Sequence, residues 1–155
     1  MPGYKKHLFG GACFYAIIIY VLRASKACNP SLSTLLEWLA WTLAGSLFPD
    51  VDIKSKGQKL FYSLLFLVLI ALALFERFKL IAILSCCCMT PLLVHHRGLF
   101  HRIWFIVGLP LLLASLAGNW MPAYKNAFLY DALFFILGAV SHLWLDLGVF
   151  RMFRL

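Results

Sequence analysis

AFLYDALFFILGAVSHLWLDLGV, residues 127–149, decides the fold. Asp131, His142 and Asp146 are its only charged or imidazole side chains. At 1.5 Å of rise per residue, a helix of this length reaches about 34 Å, enough for the ~30 Å hydrocarbon core of a bilayer. A helix also satisfies its backbone polar groups internally, which lipid demands. The run reads as a membrane-spanning helix.

Five further apolar runs precede it, over 8–22, 32–48, 60–75, 79–94 and 103–118. Several are shorter than the ~20 residues that cross a bilayer, but flanking Lys and Arg can snorkel and make up the difference. The 155 residues are 63% hydrophobic and 13% charged, with a mean hydropathy of +0.89. A soluble domain carries about 25% charged residues, so a water-soluble chain this apolar would have nowhere to put its surface. The expected fold is all-α: a polytopic transmembrane bundle of about six helices, with residues 1–155 forming a single integral membrane domain.

The breaks between runs have readable chemistry. Asn29-Pro30 ends the first hairpin. Thr34 and Glu37 fit a capping box opening the second helix. Residues 119–126, with Pro122, form the turn before the last helix, and Asp131 falls in that helix's first turns, where the dipole favours a carboxylate. The five cysteines form no CxxC pair and read as small apolar packing residues.

Net charge is +8, from 14 Lys and Arg against 6 Asp and Glu. In a soluble domain that balance would point to nucleic acid. Here the basic residues sit in short clusters between apolar runs, as in cytoplasmic loops and headgroup contacts. No nucleic acid partner is expected; the partners are membrane lipids. With six spans, the side holding both termini carries nine Lys and Arg and the other side five. The positive-inside rule then puts both termini in the cytoplasm.

The ionisable residues gather on that same side. His7 opens the first run. Asp50 and Asp52 follow the second in Phe48-Pro49-Asp50-Val51-Asp52. His95, His96 and His101 lie in the loop before the fifth run, and His142 and Asp146 sit one turn apart near the inner end of the sixth. A carboxylate or imidazolium near hydrocarbon is costly unless paired or metal-bound. Residues at i and i+4 share one helix face, and Asp-x-Asp brings hard oxygen ligands to a helix end. Mixed His and carboxylate donors suit Zn²⁺, Mn²⁺ or Fe²⁺, and with His95 set aside, as the one facing away from its neighbour, seven donors suffice for one or two ions. Arg97 and Arg102 bracket the loop histidines; a guanidinium fork there could hold a phosphate or anchor the loop at headgroups.

Three strings carry a resemblance to a known family: Phe48-Pro49-Asp50-Val51-Asp52, His96-Arg97-Gly98-Leu99-Phe100-His101 and His142-Leu143-Trp144-Leu145-Asp146. In this order, with His7 before a Gly-rich first helix, the chain resembles the LexA-regulated, membrane-bound, metal-dependent hydrolases of bacteria and archaea. The family pattern reads Leu-Pro-Asp-x-Asp, His-Arg-Gly-x-x-His-Ser and a late His with a downstream Asp. This chain departs from it at Phe48, in place of leucine, and at Arg102, in place of serine. The resemblance implies an inner-membrane enzyme with metal ligands among His7, Asp50, Asp52, His96, His101, His142 and Asp146. It names no substrate.

Other enzyme classes fail on the letters. The His-Glu-x-x-His of intramembrane metalloproteases is absent, as is the Pro-Ser-Gly-His segment of acid-phosphatase-type lipid phosphatases. The leading expectation is a metal-dependent hydrolase at the cytoplasmic leaflet, acting on a phosphoester of a lipid or isoprenoid phosphate. Asp52 or Asp146 would serve as general base, and Arg97 and Arg102 as phosphate ligands. Two other classes stay open: a metal-binding or metal-transporting protein, and a structural or regulatory protein whose polar cluster locks its helices together.

Overall fold

The computed structural model describes residues 3–52, 55–76, 78, 81–82, 84–85 and 99–148. These residues are helical with no strand among them. The long helices are α1 (Tyr4–Ala24), α2 (Leu32–Leu47), α3 (Lys56–Leu74), α4 (Ile103–Trp120) and α5 (Lys125–Leu147). Short 3₁₀ turns at Phe48–Asp52, Leu99–His101 and Pro122–Tyr124 precede α3, α4 and α5.

Among the described residues, four stretches are long and apolar enough to cross a membrane: α1, α3, α4 and Pro122–Leu147, which contains α5. About six spans were expected. α2 has 16 residues, about 24 Å of helix, short of the ~30 Å core. Of the run 79–94, most lies outside the described residues, including Cys86, Cys87 and Cys88.

Helices α2 and α4 start where the apolar runs do, at 32 and 103, but hydropathy misses the polar first turn of α1, α3 and α5, which begin before the runs at 8, 60 and 127. α3 begins at Lys56 rather than residue 60, because the Ser55 side chain accepts from the backbone N–H of Gln58 at 3.0 Å and caps the helix. At α2 the cap is Ser31, whose hydroxyl accepts from Thr34 N–H at 3.2 Å. Thr34 and Glu37 therefore lie inside the helix and do not form the expected capping box. Asp131 likewise falls past the first turn of α5, which holds no acidic residue.

α5 is the central helix and packs against α2, α4 and α1. Its closest crossing is with α2, where glycine faces backbone on both sides. A Cβ on Gly138 would strike the Thr42 carbonyl, and one on Gly45 would strike the Phe135 carbonyl. Gly11 of α1 joins the same contact, with room for a Cβ only 3.0 Å from that of Ser46. Small residues that let backbones approach are how helices associate in lipid, where burying a leucine gains little over leaving it in hydrocarbon. The hydroxyls buried in this contact bond within their own helices: Thr42 donates to the Trp38 carbonyl at 2.8 Å and Ser141 to the Gly138 carbonyl at 2.7 Å. Neither needs a partner across the interface.

Candidate metal centre

The close α1–α2–α5 contact puts one end of each helix at the same place. His7 lies in the first turn of α1, and His142 and Asp146 lie in the last two turns of α5. Asp50 sits in the 3₁₀ turn that continues α2, and His101 ends the turn before α4. Four separate segments of chain deliver donors to one spot.

The spot is buried. His101 and His142 are fully buried and His7 nearly so; the Asp146 side chain is 2% exposed and that of Asp50 17%. His142 Nε2 lies 3.5 Å from Asp50 Oδ1 and 3.6 Å from Asp146 Oδ2. His7 Nε2 lies 3.5 Å from Asp146 Oδ1, and His101 Nε2 lies 3.9 Å from Asp50 Oδ1. One donor atom from each of Asp50, His101, His142 and Asp146 falls within 4.8 Å of all the others. The imidazoles of His7 and His142 stack with centroids 3.8 Å apart.

These separations are long for hydrogen bonds, whose N···O distances run about 2.7–3.2 Å. The three separations of 3.5–3.6 Å are those of neighbouring ligands of one ion, since donors ~2.0–2.2 Å from a tetrahedral centre lie about 3.3–3.6 Å from each other; His101, at 3.9 Å from Asp50, stands slightly further out. Asp146 Oδ1 and His142 Nε2 are buried with no hydrogen-bond partner among the described residues. Leaving such groups unsatisfied costs about 1–3 kcal/mol each. With the imidazoles neutral, as metal ligation requires, the two carboxylates would leave two negative charges for a dication to neutralise. The residues fit a divalent ion.

The surrounding chain orients this set. His142 Nδ1 lies 2.8 Å from the Ser46 carbonyl. A carbonyl only accepts, so Nδ1 carries a proton, and Nε2, the nitrogen that faces the carboxylates, is the one left to ligate a metal, the usual arrangement of a metal-binding histidine. Ser55 Oγ donates to the Asp50 carbonyl at 2.9 Å and so ties the start of α3 to the Asp50 turn. Gly57 lets that turn close, since a Cβ there would lie 2.9 Å from the Leu47 carbonyl. Burial pushes the Asp50 carboxyl up, but His142 and His7 draw it down further, and it ionises below the usual carboxylate range.

Of the seven predicted ligands, His7, Asp50, His101, His142 and Asp146 come together. His96 lies outside the described residues, as do His95 and Arg97, and so does the side chain of Asp52. One donor atom each from Asp50, His101, His142 and Asp146 could hold one ion, with His7 beside them against Asp146. Arg102 follows His101 directly, with its side chain exposed, and its carbonyl accepts the first backbone N–H groups of α4. Sequence reasoning missed Ser46, which acts through a backbone atom that no motif records, and Ser55, whose capping pattern was the available signal.

An all-helical membrane protein with a buried histidine and carboxylate cluster at one end of its bundle is the class that fold and site define. Within that class, the chain belongs to the YdjM inner membrane protein family, whose model matches residues 1–151. No curated protein and no solved structure gave a significant match.

Proposed function

We propose that this protein is a metal-dependent hydrolase that cleaves a phosphoester of a lipid or isoprenoid phosphate at the cytoplasmic leaflet. The observation that carries the reading is the convergence of Asp50, His101, His142 and Asp146 donor atoms within 4.8 Å in a buried site. His7, Asp50, His101, His142 and Asp146 hold the ion, Zn²⁺ foremost with Mn²⁺ or Fe²⁺ as alternatives. When bound, the ion would polarise the phosphoester and lower the pKa of an attacking water. The Ser46 carbonyl keeps His142 in its ligating tautomer. Asp52, or Asp146 in place of ligating, takes the proton of the attacking water, and Arg97 and Arg102 hold the phosphate oxygens. A site at a helix-bundle end meets headgroups first, and the excess of Lys and Arg on the side of the termini favours anionic substrates and a cytoplasmic site.

The test is release of inorganic phosphate by purified, Zn²⁺- or Mn²⁺-loaded protein given lysophosphatidic acid or farnesyl phosphate. Release that needs the metal and disappears in His142→Ala is expected. A protein that binds metal yet cleaves neither these phosphomonoesters nor a phospholipid diester would overturn hydrolysis and leave a metal-carrying membrane protein.

A further inference from the structure

An apolar cavity of about 540 Å³ lies between α2, α3, α4 and α5. The proposed chemistry does not use it. One of its ends is formed by Phe48 and Val51, the residues that flank Pro49 and Asp50 in the 3₁₀ turn. Phe48 belongs to both regions: it lines the cavity, and its ring meets Phe100, the neighbour of His101, at a centroid distance of 5.5 Å. From there the cavity runs along α5 past Phe135 to Phe128 and Asp131. Residues 131 and 146 are about 22 Å apart on a helix, so the cavity extends from the level of the cluster across much of the bundle.

We propose that this cavity seats the hydrocarbon chain of the amphiphile whose phosphate-bearing head lies at the cluster, a proposal that rests on the hydrolase reading above. Proximity is the first reason: Val51, which lines the cavity, is the chain neighbour of Asp50 in the cluster. Size is the second: at about 540 Å³ the space lies in the range of ligand-sized cavities and has room for a long alkyl chain. Access is the third. Leu64 and Leu113 of its wall are exposed, so a chain can enter sideways from the bilayer while its head stays at the interface. The substrate class is then an amphiphile that carries a long alkyl or polyprenyl chain on its phosphate-bearing head.

A chain already dissolved in the bilayer gains little by moving to an apolar wall, so where the chain lies is the readout, rather than affinity. The probe is a hexadecyl phosphate carrying a diazirine at its terminal carbon. It is photolysed with the metal-loaded, detergent-purified protein, and the adducts are mapped by mass spectrometry. Labels are expected on cavity residues such as Leu64, Leu113 and Phe128. Ala44→Phe with Ala117→Phe, at positions that line the cavity and are not fully buried, should remove most of that label while metal content stays at the wild-type level. Labels on the α1–α5 groove around Cys13, Phe14 and Trp144, or labels scattered over lipid-facing positions and unchanged in the double variant, would overturn the proposal. Labelling does not require turnover. A protein that labels in the cavity but cleaves nothing refutes the hydrolase reading alone, and one that cleaves alkyl phosphates but labels elsewhere refutes the cavity alone.

Discussion

The α2–α5 crossing and helix α3 are built from different residues and held by different means. At the crossing, glycine meets backbone, Ser and Thr hydroxyls turn back on their own helices, and the histidines and carboxylates of the cluster lie at the end of the same seam. Along α3, Leu64, Phe66, Leu67 and Leu74 are exposed, and among the described residues the helix touches the rest mainly through its start at the Asp50 turn. In water the order would be reversed, with the leucine-rich helix buried and the polar seam outside. In lipid a leucine surface has no reason to hide, and tight association falls to small and polar residues. The hydropathy that marks a span therefore says little about where the helices pack, and the residues that interrupt the apolar pattern say most.

That contrast can be broken by substitution. The largest effect on folding is expected for Gly138→Ala. Its new methyl meets the Thr42 backbone, which cannot rotate away, so the crossing must open, at about 2–3 kcal/mol. Unfolding in a denaturing detergent reads it, together with loss of metal. Asp50→Asn keeps the shape but removes a charged donor, and should lower metal affinity by at least the ~10–100-fold seen for lesser, outer-shell changes while leaving the fold intact; competition with a zinc chelator measures it. Ser55→Ala releases the Asp50 carbonyl and uncaps α3, for about 1 kcal/mol of stability and a weaker effect on metal than Asp50→Asn. Leu67→Ala on α3 should stay within about ±0.5 kcal/mol. A Leu67 effect as large as that of Gly138 would erase the distinction between the two regions.

The same contrast explains how much could be read from the sequence. The apolar runs place α1, α2, α4 and α5 within a few residues, because span length is a property of composition. The pairing of His142 with Asp146 was legible from their spacing on one helix, and the meeting of Asp50 with His142 followed from their common depth. Which helices touch was less legible: Gly45 and Gly138 were visible as small residues, but their mutual crossing depends on backbone carbonyls that carry no letter. The tautomer of His142 was hidden for the same reason, since its partner is the Ser46 carbonyl. The α2 cap shows the limit of motif reading: the Thr34–Glu37 pattern fits a capping box, but Ser31 caps the helix and its hydroxyl also pairs with those of Ser33 and Thr34, at 2.8 and 2.9 Å.

The central claim is that the buried cluster is one metal centre. The most direct test is metal content by mass spectrometry of the detergent-purified protein, wild type beside His142→Ala and Asp50→Ala. At least one equivalent of Zn²⁺ or Mn²⁺ in the wild type, lost in both variants while each remains folded, is the predicted result. A folded wild type that holds no metal and takes up none on titration would contradict the account and leave a polar lock between helices in its place.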